Sequence, residues 1–241
     1  MVEKLKSISK RTNWSLLLKA VIFGVAWWAL PFWLFIIIAL YLYFIPIAGT
    51  GRVSVPFFVL LLISFFEEQN ALSAILFAAI FYFILLVRDL LIIDRRSAYE
   101  ILMLVLSYLF MRSFFLNVGG AFSFGTIFYS LIVACSIGIL VVNFIKNFSV
   151  APEESSREER SFRRMVGWMT FLILWQLLIV GTLLPLNFLY QSAIVFLVSA
   201  IMIDLVPQYA FGELSREKIL ATGSVLFALL VIVIASARWI M

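Results

Sequence analysis

The chain has 241 residues, 65% of them apolar and 13% charged, with 18 basic and 13 acidic side chains and a formal charge of +5. Uncharged runs as long as Trp27–Pro46, Ala71–Val87 and Ile219–Ala237 exclude a water-soluble core and match repeated passage through a bilayer. Histidine is absent and Cys135 is the single cysteine, which excludes an intramolecular disulfide and removes the usual metal ligand and general base.

The first residues carry Lys4, Lys6, Lys10 and Arg11 ahead of an apolar stretch, in the manner of a secretory signal. The stretch Ala26-Trp27-Trp28-Ala29-Leu30-Pro31 offers no small-x-small cleavage site, so the expectation is an uncleaved first span. Apolar runs and turn signals then predict nine spans, at about 14–30, 31–46, 54–67, 70–93, 98–117, 125–146, 166–185, 188–206 and 217–240. Trp27, Trp28 and Trp33 around Pro31 suggest an interfacial hairpin over 14–46, because tryptophan favours the headgroup level. One long kinked helix over the same residues is the competing reading. The third span is short enough to be re-entrant.

The expected fold is therefore an all-α polytopic transmembrane bundle of 8–9 spans, a single integral membrane domain over 1–241. Charge sets its orientation. With the N-terminus cytoplasmic, all of the 18 basic residues except Arg112 and Arg238 fall in or beside inner segments, as the positive-inside rule requires. The expected location is a cytoplasmic (inner) membrane, whose anionic headgroups the basic excess would meet. That reading also leaves no role for nucleic acid.

The one substantial polar segment is 149–164, a cytoplasmic charged helical loop by expectation. Ser155-x-x-Glu158 is a helix-start signal, and the pairs Glu153–Arg157 and Glu159–Arg163 stand four residues apart. It is either a solvated connector or a docking helix for a membrane or cytoplasmic protein partner. Ser130, Ala134 and Gly138 form a small-residue seam in the sixth span, with a lesser one at Ala74 and Ala78 in the fourth. In lipid such faces let helices approach closely, here within one chain.

Ionisable groups at membrane depth are costly and point to function. Arg88 and Asp89 lie near the inner end of the fourth span, where Arg88 is expected to reach the headgroups and Asp89 to pair with a neighbouring cation. The residues left over are Glu67, Glu68, Arg112 and Arg238, with Asn117 at similar depth, all expected in the outer leaflet. They predict either a structural ion-pair network or an outward-facing polar cavity.

Glu67-Glu68 resembles the paired glutamates of the CAAX-protease-like intramembrane peptidases. Those enzymes need an arginine four residues later and histidines on later helices, whereas position 72 is Leu and histidine is absent. No catalytic residue, metal site or cofactor is therefore assigned. The leading functional expectation is a membrane-embedded scaffold or assembly subunit acting without catalysis. The alternatives are a small transporter, channel or lipid-handling protein using the outer cavity, and an intramembrane enzyme using Glu67 and Glu68.

Overall fold

A computed structural model of the chain describes residues 2–45, 53–89, 94–118, 123–148, 157–211 and 214–237, with side chains for all of these except 2–13, 157–160, 163 and 210. Among the described residues there are nine helices. They are α1 (Val2–Ala29), α2 (Phe32–Phe44), α3 (Ser54–Phe66), α4 (Ala71–Arg88), α5 (Arg95–Val118), α6 (Phe124–Phe148), α7 (Arg157–Thr182), α8 (Phe188–Ala210) and α9 (Arg216–Ser236). Six helices are long and apolar enough to cross a membrane, the spanning stretches lying in α4 through α9. The chain is thus a multi-pass helical membrane protein. Helices suit this role because every backbone N–H and C=O finds its partner inside the segment, where lipid offers none.

The chemistry of the helix ends is local. Asn70 Oδ1 accepts from the Ser73 N–H at 2.8 Å to start α4, and Ser215 Oγ accepts from the Lys218 N–H at 3.2 Å to start α9. The eighth span, expected to end at about 206, extends further as α8. The helix runs through Pro207 to Ala210, forgoing one N–H and recovering at Phe211, which donates to the Pro207 carbonyl at 2.9 Å.

The helices form two compact units, 1–102 and 103–241, with the boundary inside α5. In the first, Leu30 and Pro31 interrupt the helix and α2 folds back on α1. Phe23 and Phe35 meet edge-on with centroids 5.0 Å apart, whereas twelve residues of continuous helix would separate them by about 18 Å. Residues 14–45 therefore make a hairpin rather than one kinked helix. Its core is aromatic. Phe23 stacks on Phe81 at 4.2 Å, Tyr43 on Phe57 at 4.1 Å, and Phe77 meets Trp27 edge-on at 4.9 Å. Trp27 is wholly buried and its indole donates to the Ser64 carbonyl at 3.1 Å, so it ties α1 to α3 and does not mark an interface. Gly24 lies where α1 crosses α4: a Cβ there would stand 2.9 Å from both the Ala74 carbonyl oxygen and the Ala78 Cβ. The Ala74/Ala78 seam thus has its counterpart in Gly24.

In the second unit α6 packs on α7, α7 on α8 and α8 on α9. The Ser130–Ala134–Gly138 seam is buried. Trp175 of α7 donates its indole N–H to Ser130 Oγ at 3.0 Å, and a Cβ on Gly138 would contact the Gly167 carbonyl at 3.5 Å and Phe171 at 3.6 Å. Tyr129 of α6 meets Ser113 of α5 through their hydroxyls at 3.1 Å. By contrast α9 has no buried residue in its spanning stretch. It is held by Tyr190, which donates to the Ser236 carbonyl at 3.1 Å, and by Thr222, which donates to Asp204 at 3.4 Å.

Within 149–164, Glu153 lies outside the described residues. Arg157, Glu159 and Arg163 fall in the first turns of α7, one helix that continues unbroken into the apolar stretch rather than a separate short element.

Candidate functional site

Polar groups of the first unit converge where α2 and α4 end. The last carbonyls of a helix have no intrahelical donor, and in lipid water cannot supply one. Two cations from other helices do so here. Arg88 of α4 donates through Nη1 to the Tyr43 carbonyl, and Lys19 of α1 donates through Nζ to the Ile45 carbonyl. Positive charge at a helix C-terminus is also favoured by the helix dipole. The Arg88 Nε donates to Asp89 Oδ1 at 2.6 Å, and its guanidinium lies 5.5 Å from the centroid of the Tyr43 ring. Arg88 is 2% exposed and does not reach outward to headgroups as its position in the sequence suggests. The carbonyl end of α2 captures it, and Asp89 supplies the countercharge from the next position. Its Nη2 has no hydrogen-bond partner. A guanidinium presents a planar fork of N–H donors and no acceptor, so this group can pin helices or hold an anion.

The residues expected in the outer leaflet divide between the units. Glu67 and Glu68 belong to the first, and they diverge. Glu67 is half-buried and accepts from Ser73 Oγ at 3.5 Å, while Glu68 is exposed and its backbone carbonyl accepts from Asn70 Nδ2 at 3.2 Å. Arg112 and Asn117 belong to α5 in the second unit. Arg112 is half-buried, and Asn117 donates to the Ser113 carbonyl at 2.7 Å, one turn back on its own helix. Arg238 lies outside the described residues.

Ahead of α5, Asp94 accepts from the Ser97 N–H at 3.1 Å and from Ser97 Oγ at 2.6 Å, a side-chain cap. The Ser97 hydroxyl first, then the Ser97 N–H, hold its carboxyl below the ordinary aspartate value. Because the folded-state value is the lower one, the cap's contribution is complete above the unfolded-state pKa and is lost as pH falls through the folded-state pKa. Carboxyl-carbon NMR should find the Asp94 midpoint below that of an unstructured aspartate. Ser97→Ala should raise it; an unchanged midpoint in that variant would contradict the cap.

A cavity of about 330 Å³ opens between α6 and α7. Cys135, Ile139 and Val142 form one wall, and Arg164, Trp168 and Phe171 the other. Gly138 and Gly167 complete its lining. The helices approach closely beside it: a Cβ on Gly167 would come 2.6 Å from Val142 Cγ2. No family model matches the chain, and neither a curated protein nor a solved structure does. Sequence reasoning singled out Gly138 as part of a packing seam but missed the groove beside it. The available signal was the stripe Arg164, Gly167, Trp168, Phe171, one helical face crowned by a cation.

Among the described residues, no three His, Cys, Asp or Glu side chains gather as metal ligands would. The polar groups located here serve helix ends and helix contacts.

Proposed function

We propose that the chain acts without catalysis, as a membrane-embedded scaffold or assembly subunit of a cytoplasmic-type membrane, with its N-terminus inside and its basic ends against anionic headgroups. The observation that supports this reading is α9. Its spanning stretch has a mean hydropathy of 2.6 and no buried residue, whereas those of α4, α5 and α6 are half-buried or more. It is anchored to α8 and presents the rest of its circumference outward, so a helix of another polypeptide can pack on it at no cost to the fold. The charged segment 149–164, with Glu153, Arg157, Glu159 and Arg163, is the matching contact for a partner outside the lipid.

The test is a cysteine scan. In a Cys135→Ser background, single cysteines along α9, including Val225, Ala228 and Ile232, are crosslinked in native membranes. Adducts to one identified polypeptide that recur every three to four positions are expected, since a packed helix contacts its neighbour along one stripe. A scan yielding no polypeptide adduct at any α9 position would sink the reading.

A further inference from the structure

The geometry points to a phospholipid site in the α6–α7 groove, with Arg164 holding the phosphodiester and one acyl chain lying over Gly138 and Gly167. This is independent of the scaffold reading, because a chain without a polypeptide partner can still hold a lipid.

Depth is the first argument. Arg164 opens the apolar stretch Arg164–Thr182 and so stands at the membrane boundary, while Cys135 lies near the middle of α6. The groove therefore descends from headgroup level into hydrocarbon, over the seven residues from Arg164 to Phe171, about 10 Å.

Lining chemistry is the second. Apart from Arg164, the Cys135 thiol and the indole N–H of Trp168, the walls offer no polar side-chain group. A bound peptide in irregular conformation would leave its backbone N–H and C=O groups unpaired there, at several kcal/mol each. A helix, about 10–12 Å across with its side chains, is too thick for 330 Å³. An alkyl chain needs no hydrogen bonds and is slender.

Charge is the third. The Arg164 side chain is exposed, and no described carboxylate lies in salt-bridge range of it. Lys146 is also exposed, four residues beyond Val142 on the same face of α6. The anion that comes joined to an alkyl chain at this depth is a lipid phosphodiester, which a guanidinium matches with two parallel N–H donors. Trp168, one turn inside Arg164 and 66% exposed, has the amphipathic ring favoured at that level.

The experiment is native mass spectrometry of the full chain in detergent, titrated with dioleoylphosphatidylglycerol or dioleoylphosphatidylcholine. One phosphatidylglycerol is expected to stay bound under activation that strips phosphatidylcholine. Arg164→Gln should lower its retention about tenfold, the worth of one charge-assisted contact. Ile139→Trp should lower it similarly by filling the groove. Both positions are exposed, so helix content and elution should match the parent chain. Glycerol 1-phosphate should not displace the lipid; displacement at equal concentration would mark a free-phosphate site and overturn the proposal. Equal retention of the two lipids, or undiminished phosphatidylglycerol binding in both variants, would overturn it as well.

Discussion

Arg88→Met should destabilise the first unit by about 3 kcal/mol, near the lower end of the range for breaking a buried ion pair. The substitution removes a donor to the Tyr43 carbonyl and the countercharge of Asp89. The lower end applies because the Asp89 side chain is 20% exposed and can be partly hydrated, while that of Arg88 is fully buried. Arg88→Met combined with Asp89→Asn should lose less than the two single changes summed, since each alone leaves an uncompensated partner. Unfolding in mixed micelles at rising dodecyl sulfate gives all four stabilities. A single variant as stable as the parent would show that the guanidinium is not what closes the end of α2.

Gly24 carries the second large effect. Its missing side chain lets α1 cross α4 so closely that a Cβ would meet the Ala74 carbonyl oxygen and the Ala78 Cβ, each at 2.9 Å. Gly24→Ala should cost about 1–3 kcal/mol as an overpacked contact. Gly24→Leu should separate the helices and expose the Trp27–Phe77 and Phe23–Phe81 contacts beside the crossing. Ala78→Gly should rescue Gly24→Ala only in part, because it removes the methyl but not the backbone oxygen. Gly223 of α9 is the control. A Cβ there meets nothing within 4 Å, so Gly223→Ala should be neutral or stabilise by up to about 1 kcal/mol through helix propensity. Limited proteolysis and dodecyl sulfate titration report both sites. Equal behaviour of Gly24→Ala and Gly223→Ala would refute the close crossing.

The first break was legible before any fold was known. Pro31 between apolar runs marked the break between α1 and α2, since proline lacks the N–H a continuing helix needs. The caps Asn70, Asn187 and Ser215 went unread, although capping is a matter of a few adjacent residues and each accepts from a backbone N–H two or three positions on. Trp27 was misleading. As an interfacial tryptophan it resembles Trp28 and Trp33, which are exposed, yet it is buried with its indole on Ser64. The eighth span was read as ending at about 206, short of Ala210, where α8 runs on through Pro207.

The sequence by itself determined the helical class and where the apolar stretches lie. Of the nine spans it predicts, six correspond to helices long and apolar enough to cross a membrane, and the first three to the shorter apolar helices Trp14–Ala29, Phe32–Phe44 and Ser54–Phe66. Those properties follow from hydropathy along one stretch of chain. Which helices meet, and at what separation, only the tertiary structure decided. Gly24 is one glycine among 11 until Ala74 and Ala78 lie against it, and Arg88 is an interfacial arginine until the carbonyl end of α2 arrives beside it. The groove beside Arg164 is lined from both sides, by Gly138 of α6 and by Gly167 of α7, 29 positions apart. Close approach depends on two surfaces at once, and a single helix carries one.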